Sequence, residues 1–238
     1  MAYTNSESRR RRKETKEMRL RRLKRKRAVL ICAMVCILAL VIWGAVSLIR
    51  LFLFPEQVDL ASISAPDWID QQFLEVNPYS RPGTQLEEVN GIVVHYTANP
   101  GTTAQQNRNY FNSLAKQNGE SATSVSSHFI IGLEGEIIQC IPLSEISYAS
   151  NDRNKNTISI ECCHPDSSGQ FTDATYQSLV KLCAWLELQL NLKERAIIRH
   201  YDVNGKLCPL YFVQNESEWN AFKDDVASYR KSHDRDDF

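Results

Sequence analysis

"GIVVHYTANPGTTAQQNRNYF", residues 91–111, opens with a β-branched apolar run, passes through a Pro-Gly turn and ends in an amphipathic stretch. The first part reads as a buried strand ending at His95. The last part, with Thr102 or Thr103 as cap and Gly119 as stop, reads as a helix over "TTAQQNRNYFNSLAKQ". A strand feeding a helix through a short loop is the unit of an α/β fold.

The pattern continues on the C-terminal side. "HFIIGLEGEIIQCIPL" is two short apolar runs around Glu134-Gly135, a hairpin signal. "TISIECC" alternates and reads as a strand, with Cys162 and Cys163 on opposite faces. "TYQSLVKLCAWLELQL" sets Leu179, Leu182, Cys183, Leu186 and Leu190 on one helical face. "RAIIRH" reads as a last strand ending at His200. "NESEWNAFKDDVASYRK" reads as a closing helix, with Asn215 and Glu218 forming a capping box. Residues 88–231 thus make one α/β domain of common size, followed by a polar tail, 232–238.

On the N-terminal side the composition changes. Residues 55–87 hold Pro55, Pro66, Pro78 and Pro82 among polar residues and read as a linker. Extended, it would reach roughly 110 Å; "DWIDQQFL" within it is apolar enough to dock. Before it, "AVLICAMVCILALVIWGAVSLI", residues 28–49, carries no charge and is long enough to cross a bilayer. Residues 28–54 are read as a transmembrane helix and its flank. Residues 1–27 carry 13 Lys/Arg against 3 Asp/Glu, so the neutral chain is +10 before the apolar run and −10 after it. Cationic flanks stay in the cytoplasm, which places the N-terminus inside and everything after Arg50 outside. The apolar run exceeds a signal-peptide core, no small-x-small site follows it, and Ile31 before Cys32 does not suit lipoprotein processing. The basic tail reads as a topology signal, and no nucleic-acid partner is expected.

Two strands ending in histidine, laid side by side in parallel, would present His95 and His200 at one sheet edge, where ligands of such sheets sit. Cys208, on the loop after His200, can fold back to the same point. Two His and one Cys would leave a fourth zinc position open, the arrangement of a catalytic site. Spacing alone leaves the alternatives standing. Strand-end histidines are often structural hydrogen-bonding groups, and a lone cysteine is often an apolar filler.

Taken together and in this order, "GIVVHYTANPGTTAQQNRNYF", "SSHFIIGLEGEIIQCIPL", "TISIECCHPD" and "IIRHYDVNGKLCP" resemble the zinc-dependent N-acetylmuramoyl-L-alanine amidases of the type-2 amidase and peptidoglycan-recognition family. The resemblance covers about residues 88–230. It implies a single mixed central β-sheet flanked by helices, with Zn2+ held by His95, His200 and Cys208. It implies that Glu161 is the acid–base group and that Lys206 stabilises the oxyanion. The substrate implied is peptidoglycan, cut between N-acetylmuramic acid and L-alanine of the stem peptide. The rival is a membrane-anchored receptor that binds peptidoglycan without cutting it. Relatives often carry a histidine within the stretch that here reads "ISYASN", where Tyr148 or a neighbour stands instead. His128 is expected to satisfy local hydrogen bonds, and His164 and His233 to bind no metal.

Overall fold

The computed structural model describes residues 3–53, 58–86, 88–117, 122–193 and 196–238. They fall into two compact units, Met1–Glu56 and Gln57–Phe238. Gly119, the expected stop of the first helix, lies outside the described residues, as do 55–57 and 87 of the expected linker.

The first unit is one helix, α1 (Tyr3–Leu53). It contains a stretch, Met18–Ser47, that is long and apolar enough by length and composition to cross a membrane. Seven of its residues, all within 19–27, are Lys or Arg; the uncharged remainder, 28–47, rises ~30 Å as a helix, about the thickness of bilayer hydrocarbon.

The second unit is built on β1 (Ile69–Gln71), β2 (Ile92–Tyr96), α2 (Ala104–Ser113), β3 (Phe129–Ile131), β4 (Ile137–Gln139), β5 (Ile158–Cys162), α3 (Asp173–Gln189), β6 (Ile197–Arg199), α4 (His200–Asn204), α5 (Leu210–Gln214) and α6 (Glu216–Lys231). The strands form one mixed sheet in the order β1-β4-β3-β5-β2-β6. Among these pairings only the β3–β4 hairpin is antiparallel. Gly135 makes its turn at φ 84°, where a Cβ would sit 2.9 Å from the Ala174 carbonyl oxygen.

The central strands read as unbroken apolar runs because helices cover both faces. On one face Ile92, Val94, Ile158, Ile160 and Cys162 pack with Leu179, Leu182, Trp185 and Leu186 of α3 and with Trp219, Phe222 and Val226 of α6. On the other, Ile130, Ile138 and Cys163 pack with Phe111 of α2 and with Leu74. Cys162 and Cys163 thus face opposite ways, as their alternation requires. All seven cysteines are free thiols.

Three expectations need correction. The stretch expected as a linker belongs, over 58–86, to the folded unit. There β1 lies parallel to β4, and the Gln72 and Leu74 N–H groups donate to the Gln139 and Cys140 carbonyls. Leu74 and Leu86 are buried, and Trp68 meets Trp185 edge-on at 6.0 Å under the Lys181 ammonium. The expected polar tail is docked as well: Phe238 packs on Trp68 at 6.3 Å, and Arg235 Nε donates to the Leu188 carbonyl at 2.7 Å. The Asn215–Glu218 capping box does not form. Helix α5 ends directly at Asn215, whose amide donates to the Tyr211 carbonyl at 3.0 Å and is therefore spent on the preceding helix. Glu216 and Glu218 in the first turn of α6 still complement its dipole. The other expected cap does form: Thr103 and Gln106 make a reciprocal box at the start of α2.

Candidate metal centre

The centre lies where β5, β2 and β6 end side by side. In the parallel register His95 is level with Glu161, and Val94 with Arg199. His95 and Glu161 therefore share a face, and His200 comes one step beyond the β6 pairing. Its neighbour in sequence, Arg199, ties β6 to α4 through Asp202 at 2.9 Å and to α6 through Glu216 at 2.6 Å. His200 begins α4 rather than ending the strand, and its ring meets that of His95 edge-on, centroids 4.6 Å apart.

Cys208 comes back to this point because α4 is short. Gly205 closes it in the left-handed conformation, φ 81°, with its N–H on the Tyr201 carbonyl. The Tyr201 N–H then donates to the Cys208 carbonyl at 2.9 Å, folding the loop over the start of α4. Cys208 Sγ lies 3.8 Å from His95 Nδ1. Donor atoms of His95, His200 and Cys208 lie within 4.8 Å of one another, and all three residues are buried.

This set fits a zinc ion. Tetrahedral zinc with these donors has ligand–ligand edges of roughly 3.3–3.6 Å, so the Cys208–His95 pair needs only a small shift. His200 Nδ1 is buried and has no hydrogen-bond partner in the protein, an arrangement that costs free energy unless something binds there. Burial, the neighbouring His200 and the Lys206 charge hold His95 well below the usual imidazole range. Burial and Lys206 bring His200 down to about 4. Both rings are thus neutral donors. Burial and Glu161 push the Cys208 thiol up to about 12, against the Tyr96 N–H and Lys206. A cation must arrive before that sulfur loses its proton.

Glu161 is half-buried, and its Oε2 is shut off from solvent without a hydrogen-bond partner. Burial raises its carboxyl to about 8, opposed by Lys206. Lys206 itself is exposed on the loop between α4 and Cys208. It lines a groove of about 350 Å³ together with Tyr148, Asn151, His200 and Asn204.

Sequence reasoning missed Ser150, Asn151 and Asn204, which surround the two imidazoles. Ser150 Oγ lies 3.1 Å from His95 Nε2, and Asn151 Oδ1 2.9 Å from His200 Nε2. Small polar residues in a loop have the composition of any turn; Ser150 and Asn151 do fall within "ISYASN", which the resemblance singles out, but it gives neither of them a role.

The other histidines lie apart from this cluster. His164 Nδ1 donates to the Asp166 carbonyl, and His233 stacks on Tyr229. His128 is buried. Its Nε2 donates to the Glu145 carbonyl at 2.9 Å and its Nδ1 accepts from the Ser159 N–H at 3.1 Å. Burial lowers it to about 4, against the Glu145 hydrogen bond and charge. Because the folded value lies below the ordinary 6.5, the unfolded chain binds the extra proton between the two. His128 therefore adds stability above pH 6.5 that is lost as pH falls towards 4, up to about 3 kcal/mol. The stability gap between the parent and His128→Gln should accordingly narrow between pH 7.5 and 4.5 in denaturant melts. A gap independent of pH would contradict the assignment.

Residues 85–210 match the family model described as N-acetylmuramoyl-L-alanine amidase. The chain is 34% identical over 170 residues to the N-acetylmuramoyl-L-alanine amidase CwlL of Bacillus licheniformis, across 66% of this chain and 46% of that protein. It is 32% identical over 179 residues to the N-acetylmuramoyl-L-alanine amidase BlyA of Bacillus subtilis (strain 168), with the same shares, 66% and 46%. The chain thus spans about half the length of the curated relatives it matches. Among solved structures, the catalytic domain of XlyA superposes with a TM-score of 0.54 at 28% identity, covering 66% of this chain and 98% of that one. The PlyG catalytic domain gives a TM-score of 0.56 at 25% identity, covering 68% and 94%.

Proposed function

The chain belongs to the N-acetylmuramoyl-L-alanine amidase family, and we propose that it hydrolyses peptidoglycan, cutting the amide between N-acetylmuramic acid and L-alanine of the stem peptide. The observation that carries the reading is the meeting of three buried donors, His95, His200 and Cys208, with an unpartnered carboxylate, Glu161, at the end of three adjacent strands.

His95, His200 and Cys208 would hold a zinc ion, which would supply Lewis acidity towards water and the scissile carbonyl. Glu161 accepts the proton of the attacking water and passes it to the departing nitrogen as the C–N bond breaks. The products are a carboxylate on the lactyl group and a free L-alanine amine. The Lys206 ammonium, placed in the groove wall beside His200, stabilises the negative oxygen of the tetrahedral intermediate. The groove holds the stem peptide.

The test is incubation of the full-length chain, in detergent micelles, with purified insoluble peptidoglycan. Release of soluble stem peptides is expected. Protein bound to the polymer with nothing released would make it a receptor instead.

In the same reading α1 is a signal-anchor. Its 13 cations before the apolar run hold the N-terminus in the cytoplasm and the catalytic unit outside, facing the wall. External protease on wall-stripped cells should then digest the catalytic unit and leave residues 1–27 intact. Protection of that unit would reverse the topology.

A further inference from the structure

Both imidazoles of the metal centre take their outer partner from one dipeptide. Ser150 Oγ meets His95 Nε2 at 3.1 Å, and Asn151 Oδ1 meets His200 Nε2 at 2.9 Å. The two histidines lie 55 and 49 residues away in sequence, one on β2 and the other at the start of α4.

A chain of amides settles which way the protons run. The Lys206 N–H donates to Asn204 Oδ1 at 3.0 Å, which fixes the orientation of that side-chain amide. Its Nδ2 must then face Asn151, and it donates to Asn151 Oδ1 at 2.8 Å. Asn151 thus presents its oxygen to His200, and a carbonyl oxygen only accepts. Asn204 Nδ2 also approaches His200 Nε2, at 3.2 Å, but the shorter 2.9 Å contact is to an oxygen that can only accept, and it places the proton on Nε2 and the lone pair on Nδ1, the buried atom with no partner in the protein. Ser150 Oγ can accept or donate; when it accepts from His95 Nε2–H it leaves Nδ1 as the lone-pair atom, 3.8 Å from Cys208 Sγ.

The dipeptide is built to stay in place. Ser150 is buried, and Asn154 Oδ1 accepts both the Ala149 and Ser150 N–H groups, at 3.1 and 2.6 Å. Asn151 stands at φ 54°, a left-handed conformation that asparagine tolerates better than most residues. It opens a tight turn, Asn151–Arg153.

We infer that Ser150 and Asn151 are the positioning residues of the metal centre: together they lock His95 and His200 in the tautomer that turns both Nδ1 lone pairs to one ion. Asn151, through Asn204, also ties the metal centre to the loop that carries Lys206 and Cys208. The inference rests on reading His95, His200 and Cys208 as the zinc ligands. In water an imidazole interconverts between tautomers, and the wrong one sets an N–H against the cation. Outer partners of metal-bound histidines typically contribute 10- to 100-fold in metal affinity.

The test uses the full-length protein in micelles and three variants. Asn151→Gly keeps the left-handed backbone and removes the acceptor. Asn151→Asp keeps an acceptor oxygen. Ser150→Ala removes the partner of His95. Zinc affinity, read by competition with a chromophoric chelator, should fall roughly 10- to 100-fold in Asn151→Gly and in Ser150→Ala. It should stay within a few-fold of the parent in Asn151→Asp.

Nitrogen-15 NMR of the metal-free protein, labelled at its five histidines, supplies a readout that mere loosening of the loop would not move. His200 should show a protonated Nε2 in the parent and in Asn151→Asp, and a tautomer mixture in Asn151→Gly. Variants that bind zinc as the parent does would overturn the inference, and so would a loss of affinity with the tautomers unchanged. If the parent takes up no zinc, the ligand reading fails, and the tautomers still decide the inference. Should Asn151→Gly not fold, Ser150→Ala with the His95 tautomer decides it in the same way.

Discussion

Replacing Glu161 by glutamine is expected to slow hydrolysis by roughly 100- to 10,000-fold, the usual contribution of a positioned acid–base group. The glutamine amide fills nearly the same volume and can hydrogen-bond a water, but it cannot take the water's proton. Nothing else should change much. The three buried donors are untouched, so zinc per chain stays at one. Muropeptide binding also persists, because the groove is lined by other residues. Stability should hold or rise, since the variant removes a carboxylate that burial penalises and no partner satisfies. The measurement is threefold on one preparation: bound zinc, muropeptide affinity and turnover. A rate within a few-fold of the parent would assign the proton work to another group. Loss of zinc would make Glu161 a ligand and redraw the centre.

The second large effect is expected at Cys208. A thiolate neutralises part of the ion's charge, whereas a serine hydroxyl keeps its proton near neutral pH. Cys208→Ser should weaken zinc binding by more than the ~100-fold typical of losing an outer partner, and hydrolysis should fall with it. The fold should survive, because the packing of Trp185 and Phe222 against Phe129 and Phe212 holds the unit together without the metal. The Tyr96 N–H that now faces the sulfur can donate to a serine oxygen instead. Metal content by atomic absorption and rate on the same samples decide the matter. Full occupancy at an unchanged rate would remove Cys208 from the centre.

Much of the centre can be read from the chain itself, for physical reasons. A strand covered on both faces has to be apolar throughout, so "IVVHY" and "IIRH" stand out, and a polar residue at the end of each is conspicuous. Alternation then puts Glu161 on the face opposite Ile158 and Ile160, the face that the β2–β5 register shows it sharing with His95. The order of four motifs makes the family recognisable, and the mixed sheet follows from it.

Other features leave no local trace. Strand β1 is three residues, Ile69–Gln71, set among prolines and acids. It is a strand because β4 offers it an open edge, and no periodicity in residues 55–87 records that. Phe238 looks like the end of a polar tail because the surface it covers, Trp68 and Tyr229, lies far from it in sequence or in the helix before it. The roles of Ser150 and Asn151 depend wholly on where folding brings His95 and His200. The missing cap of α6 is a competition: Asn215 serves the helix before it.

The identity of the bond cut is decided by mass analysis of the fragments that the full-length chain releases from purified peptidoglycan, with the new amines labelled before digestion of the glycan. Stem peptides bearing a labelled L-alanine amine are expected, together with glycan strands whose muramic acids carry free lactyl carboxylates. Both products should be lost in Glu161→Gln. Fragments with the muramic acid–L-alanine amide intact, whether shortened peptides or shortened glycans, would rule this cleavage out.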